Sequence, residues 1–498
     1  MDKKLSLFEN FAVYAENKCR EYSLTLCASL IFGFLAHMYA FTNKLVNADE
    51  TSALFGKGAT VTSGRWGLEI TSWFLPDYSM PWIFGLVSVL LLAVSVCMIV
   101  SIFEIRSPLL CLGLSGTIMA FPALVGNFSF MFTSASYAMA IIAAVASVWL
   151  FERGGKWRAV LAVLLLAFSL GVYQAYISVA SSFFVLLLFK RLMDADSRAK
   201  DVLIRGIKYV AMLLVSLVVY YAVTFTVESI AGSGYQEYEV MAQTGLVRSL
   251  LLAYSSFVRT AVSGYFGYVN STLSMLAHLL CALVIVVGLG SLILPQRDKG
   301  KTLLTIALVI IYPLSVNCIY LIASVDIIHS LVLFGFISVY VFTAMVADRV
   351  SGDPLLLRDA AVLALSVILA GSIFYANKIY LKMYLQYENA YAFYNTLMAE
   401  VMDTPGFNSD TVVDFVGSDA GGIKVFDEID SSMLTGPNEE LVNIYTRVDF
   451  IRYYLGLDLY SYMEDEIYAD WFYEMPSYPD EGSIVMREQE NRIIVKFS

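Results

Sequence analysis

The sequence predicts an α-helical protein that crosses a membrane about eleven times and ends in a small acidic α/β module. Three observations predict it. Of 498 residues, 58% are hydrophobic and only 15% charged, with mean hydropathy +0.69, whereas soluble domains run at about 25% charged. Apolar runs of spanning length recur from Leu24 to Tyr375, with basic residues gathered in alternate loops. The charge then changes sign, because residues 380–498 hold 22 Asp and Glu against 7 Lys and Arg.

A helix needs roughly 20 mostly apolar residues to cross a hydrocarbon core ~30 Å thick. Such runs lie near 24–44, 81–103, 108–125, 133–151, 157–173, 174–190, 207–228, 271–294, 302–323, 327–347 and 357–377. Between 157 and 190 a single long tilted helix competes with two short ones, and Gly171 with the polar Gln174 favours a turn. The first run is too long for a cleavable signal peptide, and no small-residue cleavage pattern follows it, so it reads as a signal anchor. Lys and Arg in loops stay cytoplasmic. With the N-terminus inside, 19 of the 32 basic residues fall on the cytoplasmic side, and the outer loops before the tail keep only Lys44, Lys57, Arg65, Arg248 and Arg259. Eleven crossings then place the tail outside. The expected division is a membrane domain over 1–378 and an extracytoplasmic C-terminal domain over 379–498.

Two outer loops, 47–80 and 229–270, are long enough to imply function or disorder. In the first, Trp66, Ile70, Trp73 and Phe74 share one helical face, which predicts a short helix lying in the membrane interface. The second is rich in Tyr and Gly. After the last span the helix is expected to run on to about Met402, with Tyr380, Tyr384, Tyr387, Tyr391 and Tyr394 forming one stripe. That stripe reads first as a packing face, with a sugar-stacking surface as the alternative. Beyond Pro405, strands are expected at 411–416 and 423–426, a helix over 438–455 stopping before Gly456, and a hairpin over 483–497 turning at Glu490-Asn491. The six cysteines lie in or beside spans without metal or disulfide spacing, and the three histidines are scattered. No metal or other cofactor is expected, and no nucleic-acid partner.

The chemistry concentrates behind the first span. Asn47-Ala48-Asp49-Glu50 is followed thirteen residues on by Ser63-Gly64-Arg65-Trp66. A carboxylate is costly inside hydrocarbon, so a solvated interfacial pair is the ordinary reading of Asp49 and Glu50. Against it, Lys44, Lys57 and Arg65 share their neighbourhood. Cations beside carboxylates keep them ionised, as a general base requires, and they also bind phosphate. Weaker candidates are Arg248 and Arg259, which could reach a lipid phosphate or form structural ion pairs, and Tyr173 and Gln174, which could bind a sugar or cap a helix. Asp326 with His329 reads as a pair at a span mouth, and Glu464-Asp465-Glu466 as solvated charge.

The two N-terminal motifs together resemble the opening of the serotype-converting O-antigen glucosyltransferases, within the GT-C class of membrane glycosyltransferases. Tyr173-Gln174 at an outer helix end and the Tyr- and Asn-bearing helix from Asn377 to Met402 fit the same pattern. The resemblance implies a GT-C-like fold in a bacterial inner membrane. It implies transfer of a sugar, glucose in a close relative, from a polyprenyl-phosphate carrier to a surface glycan, with inversion at the anomeric carbon. Asp49 or Glu50 would deprotonate the acceptor hydroxyl, with Asp49 preferred, and Arg65, helped by Lys57, would hold the leaving phosphate. Trp66, Tyr173, Gln174, Arg248 and Arg259 complete the expected substrate contacts. A cytoplasmic lipid-phosphate sugar synthase and a flippase are the implied functional partners, alongside membrane lipids.

Two other functions compete, besides a non-catalytic scaffold in which neutralising Asp49 and Glu50 would change nothing but stability. A transporter or flippase of lipid-linked saccharides would place ionisable groups at mid-membrane on broken helices in related halves, and the spans show neither. A polymerase or ligase of lipid-linked glycans needs several arginines for a diphosphate, and this chain offers few.

Overall fold

The structure, a computed structural model, describes residues 17–18, 20–56, 58, 60–76, 78–232, 245–262, 271–322, 330–350, 354–417, 426, 428–434, 436–437, 440–459 and 470–497. In chain order the helices of its first part are α1 (Ser23–Thr42), α2 (Ala48–Ser52), α3 (Trp66–Thr71), α4 (Pro81–Phe103), α5 (Pro108–Met119), α6 (Pro122–Ser129), α7 (Met131–Glu152) and α8 (Lys156–Val172). They continue as α9 (Ile177–Met193), α10 (Ala199–Ala231), α11 (Leu246–Val262), α12 (Ser271–Ile293), α13 (Lys299–Val316), α14 (Ile337–Arg349) and α15 (Pro354–Asp403). Among the described residues ten helical segments are long and apolar enough to cross a membrane. The 17-residue α8 falls just short of that length and brings the set to the predicted eleven.

Local chemistry sets many of the boundaries. Proline opens α4, α5 and α6, where its missing N–H costs nothing and its fixed φ suits a first turn. The Asp348 carboxylate accepts from the Arg106 and Ser107 amides at 2.7 and 3.0 Å ahead of α5. The chain breaks between α8 and α9 at Tyr173, which is extended (φ −155°), and a 3-10 turn over Gln174–Tyr176 re-aims it. Two spans therefore occupy 157–190. The predicted span 302–323 stops at Val316, before a 3-10 turn over Cys318–Leu321. The next one opens, in its described part, as a 3-10 stretch over Ser330–Phe336 that leads into α14.

Enclosure sorts the bundle. Over their most apolar 18 residues Ser330–Arg349 is 100% buried and Pro108–Ser129 and Gln174–Met193 are each 89% buried, so these three form its centre, while α10 at 22% turns outward. The outward positions of α10 include Leu214, Val218 and Phe225, an apolar skin compatible with hydrocarbon. α7 runs from Met131 to Glu152, about 33 Å at 1.5 Å per residue. At its C-terminal end Glu152 pairs with Arg191 and Arg205, among residues of the predicted basic face.

α11 occupies a loop in which the sequence had suggested no element. Its inward positions Ser249, Ala253, Ser256 and Thr260 recur at helical spacing, while Leu246, Val247, Leu251 and Val258 are exposed, so its amphipathic period has much of the apolar side turned away from the protein. The Asn317 side chain donates to the Ala253 carbonyl at 2.9 Å and ties the helix down.

α15 runs 50 residues, through Asp403, about 75 Å. Its tyrosine stripe packs at both ends, while Tyr391 is exposed. Tyr380 and Tyr394 are fully buried, with Tyr380 OH 2.8 Å from His37 Nδ1 and Tyr394 OH accepting from Arg447 Nε at 3.3 Å.

Beyond α15 lie β1 (Val412–Val416), α16 (Arg447–Phe450, continued by a π turn over Ile451–Leu455), α17 (Asp470–Glu474), β2 (Ile484–Arg487) and β3 (Arg492–Lys496). The sheet order is β1-β3-β2, parallel between β1 and β3 with Val413 opposite Ile493, and antiparallel in the β2–β3 hairpin. The hairpin turns at Asn491, whose φ of 48° is left-handed. Val413, Phe450, Ile493 and Val495 pack with Leu397 and Val401 of α15 into a second core. The predicted strand at 423–426 lies outside the described residues except for Phe426. The predicted helix over 438–455 starts only at Arg447, because the Asn443 side chain accepts from the Tyr445 and Thr446 amides and holds that stretch as a turn.

Candidate functional site

The segment Leu45–Val46 joins the two cores, Leu45 packing into the first and Val46 into the second. Asn47 follows at this junction. Its Oδ1 accepts from the Glu50 amide at 2.8 Å and caps α2, while its Nδ2 donates to the Ser129 carbonyl at 2.9 Å, at the end of α6. One side chain thus starts the short helix and pins it to the bundle.

The two acids of α2 part company. Glu50 is fully buried. Its Oε1 receives the Lys44 ammonium and the Ser79 hydroxyl, and its Oε2 accepts from the Phe132 amide at 3.2 Å, in the first turn of α7. Carboxylates are favoured at helix N-termini. Burial nevertheless pushes the Glu50 carboxyl above its ordinary 4.5, opposed by Lys44 and by the Phe132 and Met131 amides. Asp49, one residue earlier, is exposed and lines a cavity of about 570 Å³, within the size range of ligand sites.

Arg65 reaches the same cavity from a different loop. A 3-10 turn over Val61–Ser63 ends at Gly64, whose φ of 67° admits the sharp turn that glycine makes without strain. Gln174 Nε2 donates to the Ser63 carbonyl at 2.9 Å and to Tyr220 OH at 3.0 Å, while Tyr220 OH lies 3.3 Å from the Gly64 carbonyl. These bonds fix the loop from α8–α9 and α10. The Arg65 guanidinium then sits 5.4 Å from the centre of the Tyr173 ring. Tyr173 and Tyr137, 5.2 Å apart, form the aromatic wall beside it. A further part of the lining comes from the C-terminal part of the chain, through Asn443, Tyr445 and Thr446.

Several expectations are corrected here. Trp66 does not turn its ring outward as a helix lying in the interface would require. It is buried, stacked on Tyr220, with its indole N–H on Thr224 Oγ1 at 3.2 Å. The cause is a close approach of α3 to α8, because a Cβ on Gly67 would stand 2.7 Å from the Gly171 backbone and a Cβ on Gly171 would strike the Trp66 ring. Trp73 and Phe74 are exposed, at 83% and 60%, beyond the six-residue helix, so the predicted single face is split. Gln174 positions the Arg65 loop. Glu50, Trp66 and Gln174 are not among the described residues lining the cavity, and neither are Arg248 and Arg259, both exposed on α11. Lys57, Asp326, His329 and the run 464–466 lie outside the described residues. Sequence reasoning missed the C-terminal wall, since nothing in Asn443-Ile444-Tyr445-Thr446 announces that it folds back on Asp49.

The fold and site together define a polytopic helical membrane protein with a carboxylate and an arginine facing one cavity at the end of the bundle. The family model described as glucosyl transferase GtrII matches residues 38–347, and the chain belongs to that family. The match begins inside α1 and takes in both motifs, Asp49, Arg65 and Tyr173. It makes the chain a membrane glucosyltransferase, in line with the resemblance of its N-terminal motifs. No curated protein and no solved structure matches the chain.

Proposed function

We propose that this glucosyltransferase takes glucose from a polyprenyl-phosphate carrier and transfers it, with inversion, to a surface glycan on the extracytoplasmic face. The N-terminus is cytoplasmic in this reading and the acidic C-terminal region lies outside. Asp49 is the general base. The acceptor hydroxyl loses its proton to the Asp49 carboxylate while its oxygen attacks the anomeric carbon, and the bond from that carbon to the lipid phosphate breaks. Negative charge grows on the departing phosphate, and Arg65, aided by Lys57, stabilises it there. A cytoplasmic synthase of the lipid-phosphate sugar and a flippase supply the donor.

One observation carries the reading. Of two adjacent acids, Asp49 faces the cavity that also holds Arg65, whereas Glu50 is buried and committed to Lys44, Ser79 and Phe132. A base must reach its proton directly or through one water, and a sealed carboxylate does not. The test is donor consumption in proteoliposomes loaded with polyprenyl-phosphate glucose and surface polysaccharide from the source strain. Asp49→Asn is expected to lower turnover by about 10²–10⁴ while melting like wild type. Full activity in that variant would remove Asp49 from the mechanism.

A further inference from the structure

The cavity adjoins a feature that transfer from a lipid carrier does not by itself require. Phe55 lies between Ala53 and Gly56, which both line the cavity. Its ring meets Tyr453 edge-on at 5.1 Å and Tyr78 at 6.0 Å. Tyr445 lines the cavity from the C-terminal side. All four rings are open to solvent, Phe55 at 60%, Tyr78 at 53%, Tyr445 at 70% and Tyr453 at 37%. A single exposed aromatic is ordinary, whereas three exposed rings in contact, next in sequence to residues that line a cavity with a fourth exposed ring in its wall, mark a binding surface.

Resting on the reading of Asp49 and Arg65 given above, we propose that Phe55, Tyr78, Tyr445 and Tyr453 form the platform on which sugar rings of the acceptor glycan stack before attack. The C–H face of a pyranose is weakly positive and apolar, and it seats on the negative face of an aromatic ring. Tyrosine adds a hydroxyl for the rim of the sugar, and rigid rings give contact area at low entropic cost. Asn443 holds the Tyr445 backbone through its side-chain oxygen, so the ring is presented from a fixed turn. On α15 the stripe is interrupted, since Tyr380 and Tyr394 are buried, Tyr384 and Tyr387 are half-buried, and Tyr391 alone of the five is exposed.

The membrane surface is the competing occupant, and it suits Trp73, Phe74 and Trp82, which are also exposed. Position separates the two groups. Tyr445 lines the cavity together with Asp49 and Arg65, whereas Trp73, Phe74 and Trp82 are not among the described residues that line it.

The experiment uses the full chain in nanodiscs and soluble oligosaccharide released from surface polysaccharide of the source strain. Binding of oligosaccharide and of polyprenyl-phosphate glucose is titrated separately on the Asp49→Asn background, with Tyr445→Ala, Tyr453→Ala and Tyr445→Phe added. Each alanine is expected to weaken oligosaccharide binding about tenfold, Tyr445→Phe less than threefold, and none to change donor affinity. Unchanged oligosaccharide affinity in both alanine variants overturns the platform, as does absence of saturable binding to the parent protein. Brominated-lipid quenching that rises above the level of the six native tryptophans when Tyr445→Trp is added, and that oligosaccharide does not relieve, assigns the surface to the membrane and overturns it too. Loss of donor binding in the parent points instead at the Asp49–Arg65 reading, so the two failures are told apart.

Discussion

Removing the Lys44 charge tests the division of labour between the two acids. In Lys44→Met the Glu50 carboxylate stays fully buried but keeps only the Ser79 hydroxyl and the α7 amides. Deleting one partner of a buried pair costs about 3–5 kcal/mol, mainly for the charge left behind. Lys44 is itself 28% exposed, so water softens the loss and about 3 kcal/mol is the expected value. Glu50→Gln removes the charge, keeps the shape, and costs about 1–2 kcal/mol for weakened hydrogen bonds. The double variant is then more stable than Lys44→Met alone, because the uncompensated charge has gone with its partner. Denaturant unfolding in one detergent, followed by tryptophan fluorescence, gives the order wild type, Glu50→Gln, double variant, Lys44→Met. A Lys44→Met protein within about 0.5 kcal/mol of wild type, or a double variant as unstable as the sum of the singles, refutes the buried-pair argument.

The same carboxyl makes stability depend on pH. Its folded value is raised above 4.5 by burial, so between 4.5 and that raised value the native state holds more protons than the unfolded state, and stability falls as pH rises through this window. Glu50→Gln is expected to lack that fall, as melting curves on both sides of the window would reveal. Gly67→Ala puts a Cβ 2.7 Å from the backbone of Gly171 and Val172. It should cost about 1–3 kcal/mol and lower glucosyl transfer by displacing the Arg65 loop, whereas Gly245→Ala, which meets nothing within 4 Å, should leave melting and transfer unchanged.

Much of the bundle was legible because a bilayer permits few solutions. Once backbone groups must be satisfied internally, each apolar run of sufficient length becomes a helix, and the spans followed from composition and spacing. The break at Tyr173 was signalled by Gly171 and Gln174. The exceptions share a cause. α11 does carry a helical period, but its apolar side holds exposed Leu246, Val247, Leu251 and Val258 while Ser249, Ser256 and Thr260 turn inward, and Trp66 was misplaced because helical periodicity assigns a face without saying what covers it. Here Gly67 and Gly171 remove the side chains that would have kept α3 away from α8, and the indole fills the wedge. The helix at 438–455 was drawn too long because Asn443 competes for its own backbone, a local effect that apolar periodicity does not register.

The choice between Asp49 and Glu50 shows why a site is harder to read than a span. Adjacent residues of a helix point about 100° apart, so an acidic pair in α2 must send its carboxylates in different directions, one to protein and one to solvent. Which goes where depends on groups remote in sequence. The Phe132 amide is 82 positions from Glu50 and Ser79 is 29, and Asn47 fixes the helix by gripping Ser129, also 82 away. Asn47 is therefore the residue on which the placement turns. Its cap sets where α2 begins, and the beginning of so short a helix sets the azimuth of both acids. Shifting that start by one residue would rotate Asp49 toward the protein and turn Glu50 toward solvent. The order Asn-Ala-Asp-Glu thus acts as a unit, in which the first residue fixes the phase, the last anchors to the bundle, and the third is left facing the cavity.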